Sequence, residues 1–453
     1  MQLTRSRPRF RTLAIAAVAV ALTAGACGTT NDSTSASSSS GSSTGSSAAA
    51  PAKTGPIELG FMVTKASNAA SFGGELPEKV DQTAIYTALV NAQNKKGGLH
   101  GRQITPVFKE TDSATDNFEA DVAAACATFT EDHHVEAVVG RISDLFDSFE
   151  SCLNKQQIPH IASTPEAHDS TFLAQYPYLV DATTLSQDQR TKLKVDYGVS
   201  SGILTPADKI GVVFASCPAS QRSWDNDGAP YFKSKGLNVA SVFTTGCPAG
   251  AADAVNEVGK IPNLILQFRD AGVNKLYFHA DELAALFIIA SIAETQDWHP
   301  TYYVSTLANT AVVGYQIPPA QAANVVGLGW SPASDVATAQ WPTMNQAATD
   351  CLALLNGEGI VPQTPLDHIN AFVMCDTFSL LVEAVDASDG RVDGPSVAAA
   401  IAAMGTKHKS AFTYDGSSSF GPDRQTGVAT AYPFAWDAGC SCLKYSGAAV
   451  TAP

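Results

Sequence analysis

A glycine pair at positions 97 and 98 constrains its surroundings more than any other feature of this chain. The stretch 88–109 reads ALVNAQNKKGGLHGRQITPVFK and carries apolar residues at helical spacing as far as Asn94. Lys95 and Lys96 suit the negative end of a helix dipole, and Gly97 and Gly98 supply the left-handed stop. After the turn Leu99, His100, Gly101, Arg102, the residues Ile104, Val107 and Phe108 begin a strand. Upstream, 57–63 (IELGFMV) reads as another strand. Strand, helix, turn and strand make one βαβ unit, and such units build parallel sheets whose ligands sit at the strand ends.

With 453 residues and 45% apolar content, the chain is long enough for two α/β cores. Its formal net charge is −15, and loss of Arg5, Arg7, Arg9 and Arg11 with a cleaved leader would make it more negative still. Nucleic-acid binding needs a basic footprint, so the sign argues against that partner.

Those four arginines precede an apolar run, 13–21 (LAIAAVAVA), which is about half of the ~20 residues a bilayer span needs. It reads as the core of a secretory signal, 1–26. Leu22, Thr23, Ala24, Gly25 and Ala26 lead to Cys27, and small residues before a cysteine resemble a bacterial lipoprotein cleavage site. Ala24 stands where such sites usually carry Leu. Cys27 is therefore expected to carry a lipid, with cleavage and no lipid as the other reading. Residues 28–52 contain no large apolar side chain, so 27–55 reads as the anchor cysteine and a disordered Ser/Gly/Ala tether.

Eight further cysteines, an even number in an exported chain, predict four disulfides. They fall into couples close in sequence: Cys126 with Cys152, Cys217 with Cys247, Cys351 with Cys375, and Cys440 with Cys442. Cys217 and Cys247 each follow a strand, so neighbouring parallel strands would bring both to one sheet edge. No partner ligands stand near Cys440 and Cys442 for a metal site.

Further along, the pattern predicts a helix over 116–130, a strand over 135–140, a helix over 143–155 and a strand over 158–165. The order strand, helix, GGLHGR, strand, helix, EAVVG, helix, IPHIAST resembles the first lobe of the type 1 periplasmic solute-binding proteins. That group holds the branched-chain amino acid and amide receptors of ABC importers. Residues 178–182 (YLVDA) resemble its first hinge crossing. Helices over 186–198, 230–235, 261–271 and 282–295 then alternate with strands over 210–215, 239–244, 275–278 and 301–304. NVVGLGW, 324–330, stands where a second crossing falls. Helices over 343–355 and 369–387 follow, and then a β segment over 432–436. The resemblance implies an α/β protein of two doubly wound parallel-sheet lobes joined by three hinge crossings. The first lobe would be 56–182 plus 330–418, and the second 183–329 plus 419–445.

In that family the loops ending the strands hold the ligand, and the match in position implies contacts here. Phe72 stands where relatives place an aromatic wall. Ser143 and Asp144 match the turn that holds a ligand carboxylate, and a helix N-terminus favours an anion. Ser163 and Thr164 match the next loop. Trp224, among Ser, Asp and Asn, stands where relatives carry a lid, and His279 and Asp281 end another strand. Thr306 lies in STLANT, where amino acid receptors tend to place an acid to hold the ammonium group; Asp281 is the acid that could substitute, and the departure puts free α-amino acid binding in doubt. The plainer readings are Ser143 as a helix N-cap, Ser163 and Thr164 as turn closers, Trp224 as a core tryptophan, for which its polar neighbours are a poor setting, and His279 and Asp281 as partners of backbone groups. His133 and His134 read as solvated surface.

G-x-S-x-G does not occur outside loop sequence, and H-E-x-x-H, G-x-G-x-x-G and the P-loop pattern are missing. The residues 225–228 (DNDG) read as a turn. The expectation is a monomeric, non-enzymatic binding protein without cofactor or metal, lipid-anchored on the extracytoplasmic face. It would capture a small polar or amphipathic solute and deliver it to an ABC permease. The alternative is a sensory receptor of the same fold that signals to a membrane partner.

Overall fold

The computed structural model describes residues 55–65, 78–112, 114–140, 147–163, 168–280, 282–313 and 317–453. Cys27 and the tether lie outside them. Alternate residues of the first strand, β1 (Ile57–Lys65), explain why the first sheet is covered on both faces. Leu59, Phe61 and Val63 point into one apolar cluster, while Met62 joins another with Phe129 and Phe149. A strand buried on both faces reads as a continuous apolar run and sits inside a parallel sheet. Its neighbours are β2 (Ile104–Asp112), β3 (Ala137–Gly140), β4 (His160–Ala162) and β5 (Leu179–Asp181), in the order β2-β1-β3-β4-β5, all parallel. The helices between them are α1 (Gln82–Lys95), α2 (Phe118–Ala127), α3 (Ser148–Lys155) and α4 (Ser170–Gln175).

Beyond the first crossing, α5 (Gln187–Ser201) leads to a second sheet of β6 (Ile210–Ala215), β7 (Val239–Thr245), β8 (Lys275–Phe278), β9 (Thr301–Ser305) and β10 (Val325–Gly329). These five are parallel, and β11 (Thr430–Asp437), β12 (Cys442–Tyr445) and β13 (Val450–Thr451) extend them antiparallel. The order is β12-β11-β10-β9-β8-β6-β7, with β13 on β11. Helices α6 (Pro218–Ser223), α7 (Ala229–Ser234), α8 (Ala251–Val258), α9 (Ile261–Ala271), α10 (Glu282–Thr295), α11 (Thr310–Val313) and α12 (Pro319–Ala322) connect these strands. After β10 the chain returns to the first sheet through α13 (Pro332–Asp335), α14 (Gln346–Gly357), α15 (Pro365–Ala387) and α16 (Gly394–Met404). Leu380, Leu381 and Ala384 of α15 are fully buried in the cluster that also holds Phe61.

The three passages between the sheets are held to one another. Trp330 Nε1 donates to the Thr183 carbonyl at 3.0 Å, and the Asp181 and Gly427 N–H groups bond the Gln425 and Asp181 carbonyls at 2.8 and 3.0 Å. A Cβ on Gly427 would run into the Ala182 carbonyl, which is why the third passage can lie against the first.

All four expected cysteine couples are joined, and β6 and β7 are indeed parallel neighbours. Several boundaries differ from the sequence reading. The helix expected over 116–130 ends at Ala127 and passes into a π-helical turn over Thr128–Asp132. The 225–228 turn belongs to a second π-helical turn, Trp224–Gly228. Helix α15 starts at Pro365, not 369, because Thr364 and Asp367 form a reciprocal cap with proline at the first helical position.

Candidate functional site

In a doubly wound sheet the ligand crevice lies where adjacent strands send their connections to opposite faces. That point falls between β1 and β3 in the first sheet and between β6 and β8 in the second. The connections leaving there are 66–77 and 141–146 from the first sheet, and the residues after Ala215 and Phe278 from the second. Phe72, Ser143, Asp144, Thr164 and Asp281 lie outside the described residues. The described part of this strand-end face consists of Ser163, the 216–224 segment, His279 and Thr306.

Ser163 is buried just after β4, with its Oγ 2.7 Å from Thr183 Oγ1 in the first crossing. Thr306 donates to Asp335 Oδ2 at 3.1 Å and accepts the Trp330 N–H at 2.7 Å, which ties the end of β9 to the second crossing. Burial pushes the Asp335 carboxyl up to about 7, although Tyr445, Ser331 and Thr306 all donate to it.

Trp224 corrects the sequence reading. Its polar neighbours suggest a lid held out over a cleft, but only 6% of it is exposed. Its ring lies 5.9 Å from Phe214, 5.8 Å from Phe232 and 5.3 Å, edge-on, from His279. The π-helical turn explains this: Trp224 points inward while Asp225 and Asn226 stay exposed.

His279 is fully buried, its Nδ1 3.3 Å from Thr191 Oγ1. Burial, with the cations of Arg190 and Lys194 close by, pulls its imidazole down to about 3, so the ring is neutral at physiological pH. Beside it, Arg190 Nη2 donates to the His279 carbonyl at 2.6 Å. Lys194 Nζ donates to the Phe278 carbonyl at 3.1 Å and to Glu282 Oε1 at 2.9 Å. Burial lowers Lys194 to about 8, against the pull of Glu282. Gln187, Arg190, Thr191 and Lys194 stand at positions i, i+3, i+4 and i+7, one face of α5. Sequence reasoning missed them because a polar stripe on a helix ordinarily faces water. The signal was there in the spacing, directly after a crossing.

Two contacts unforeseen from the sequence join the strand-end faces of the two sheets. Arg222 Nε and Nη2 each donate at 2.6 Å to the Asp169 carboxylate, the forked pairing that suits a guanidinium. Farther out, the Phe118 N–H donates to the Ala249 carbonyl and the Ala251 N–H to the Thr115 carbonyl, both at 2.9 Å. Near the first of these, Gln187 Nε2 donates to Ser220 Oγ at 2.9 Å. Gln187 Oε1, Arg190 Nη1 and Ser223 Oγ are buried without a protein partner. Among the described residues, no group of three or more His, Cys, Asp or Glu side chains is placed to hold a metal ion.

No protein-family model matches the chain, and no curated protein does. Solved structures match over most of its length. A solute-binding protein of an ABC transporter from R. palustris, in complex with 4-hydroxybenzoate, is 13% identical with a TM-score of 0.61, covering 88% of this chain and 97% of that one. A leucine-binding protein from Thermotoga maritima is 11% identical with a TM-score of 0.60, over 87% and 99% of the two chains. The branched-chain amino acid transporter substrate-binding protein of Streptococcus pneumoniae, in complex with isoleucine, is 16% identical with a TM-score of 0.59, over 88% and 100%. With parallel sheets in the order 2-1-3-4-5 on each side of three crossings, this chain has the type 1 periplasmic binding protein fold, the fold of these ABC transporter solute-binding proteins.

Proposed function

We propose that the protein is an extracytoplasmic, lipid-anchored substrate-binding protein that captures a small polar or amphipathic solute between its lobes and delivers it to an ABC importer permease. The observation that carries this reading is the pair of topological switch points, β1/β3 and β6/β8, on two sheets whose strand-end sides are joined by Arg222 after β6 and Asp169 after β4. The arginine-flanked apolar leader, Cys27 and the Ser/Gly/Ala tether support an anchored, exported chain. The first lobe in this reading is 56–182 plus 330–418 and the second 183–329 plus 419–445.

Phe72, Ser143, Asp144, Thr164 and Asp281 stand in the loops that would close on the solute. Ser163, Gln187 and Arg190 would supply polar contacts from the crossing side. Thr306 is committed to Asp335 and Trp330, and the loop directly after β9 carries no acid of its own to pair with an ammonium group, which leaves Asp281 as the acid that could do so. This favours a solute recognised without a free α-amino group, such as a carboxylate or a neutral polar compound.

Native mass spectrometry of the isolated protein, then a thermal-shift screen of carboxylates with and without amino groups, tests the reading. A ligand present at a hundred times its Kd adds about 2.7 kcal/mol of stability. Carboxylates lacking an amino group are expected to raise the melting temperature most. If no solute is carried and none shifts the midpoint, the binding function is rejected. Turnover of a bound compound would reject it as well.

A further inference from the structure

Both backbone bonds at the outer rim use the first N–H of a helix: Phe118 opens α2 and Ala251 opens α8. Such amides have no partner within their own helix, so water or an outside carbonyl must serve them. Here each takes a carbonyl from the opposite sheet's side, making a two-rung bridge between the β2 edge of the first sheet and the β7 edge of the second. When the rim parts, both amides return to water, so opening leaves neither donor orphaned.

Gly250 lies at the centre of this bridge. Its backbone is extended, a conformation any residue adopts, yet a Cβ there would run into the Asp116 backbone. The glycine is therefore required by the approach of the other lobe and not by its own lobe's geometry. The second contact, Arg222 with Asp169, lies farther in, after β6 and β4. The Cys217–Cys247 disulfide joins the two segments of the second lobe that carry these contacts. Arg222 sits on the helix directly after Cys217, and Ala249–Ala251 follow Cys247. One crosslink thus makes both attachment points a single body.

We propose that 115–118 with 249–251, together with Asp169–Arg222, form a disulfide-braced clasp that holds the two lobes closed without a bound solute. The closed population is then set by the protein's own contacts. A solute would bind to an equilibrium already biased towards closure, which raises its apparent affinity. The clasp rests on the described contacts, whatever the solute proves to be.

The test is backbone hydrogen exchange and solution scattering on the exported protein, shown empty by native mass spectrometry. The Phe118 and Ala251 amides are expected to be protected in the empty protein. In Gly250→Ala, exchange at both is expected to rise roughly tenfold, as loss of a bridge of one or two hydrogen bonds would give. The radius of gyration should grow and the melting temperature hold. Arg222→Gln should shift scattering in the same direction, and it carries the test if Gly250→Ala fails to fold. Gly357→Ala, with open space around the added methyl, should change neither readout. Free exchange of both amides in the empty protein, or a Gly250→Ala variant that exchanges like the parent, overturns the clasp. Protection that appears only with a bound compound also overturns it, while leaving the binding function standing.

Discussion

At the scale of single residues, buried charges set the pH response. His408 is almost wholly enclosed, its Nε2 3.0 Å from Asp376 and its Nδ1 3.0 Å from Glu383. Burial alone would lower its pKa, but the two carboxylates outweigh it and push the imidazole up to about 10. A pKa raised above the unfolded value of about 6.5 contributes stability that is whole below that pH and lost as pH rises through about 10. Denaturant titrations at pH 6 and pH 10.5 are expected to show this loss in the parent and not in His408→Gln, which should cost about 3 kcal/mol at pH 6 by leaving the buried Asp376 carboxylate without its cation, with only the neutral donors Ser410 and Ala411. Gly98 has φ +83°, and a Cβ there would strike the Arg102 carbonyl. Gly98→Ala should therefore lower stability by about 1–3 kcal/mol, read as a fall in melting temperature. The glycine was legible because its neighbours spelled out a helix stop. Trp224 was not, since its orientation depends on a π-helical turn whose sequence, WDNDG, reads as a polar surface turn.

At the scale of elements, legibility followed length and burial. Strand β6, helix α9, strand β8 and helix α10 fall on the expected residues, because each is a long or continuously apolar run between clear stops. Helices α4 and α6 have six residues each, too few for a period to show. Helix α16 has five alanines among its eleven residues and little polar contrast to mark a face, although Asp393 caps it as a sequence reading could have noticed. The disulfides brace elements to different extents. On a loop-entropy basis, removing Cys217–Cys247, which spans 30 residues, should cost roughly 3.5 kcal/mol, and removing Cys440–Cys442, which spans 2, roughly 1.5 kcal/mol. Paired serine variants compared by chemical denaturation test that ranking, and an equal cost would mean that local strain rather than chain entropy governs both.

At the scale of the whole molecule, the order of units carried the fold, since strand, helix and crossing each had a recognisable position even though no single motif was strong. The ligand face was less legible: three of the connections expected to hold solute lie outside the described residues, and the contacts that join the lobes arise from chain segments far apart in sequence. The proposed anchoring belongs to this scale too. Cys27→Ser is expected to move the protein from the membrane fraction to the soluble one, with its melting temperature unchanged, and retention in membranes would show that the cysteine is not the anchor. The first lobe is completed by residues made late. Asp367 accepts the N–H groups of Lys79 and Val80, 288 and 287 positions earlier, and α15 covers the face of β1 that holds Phe61. Contacts of such sequence separation slow folding. In the exported role proposed above, the arginine-flanked leader would emerge long before the first core can close, and for a polypeptide threaded through a narrow export channel that delay would keep it threadable.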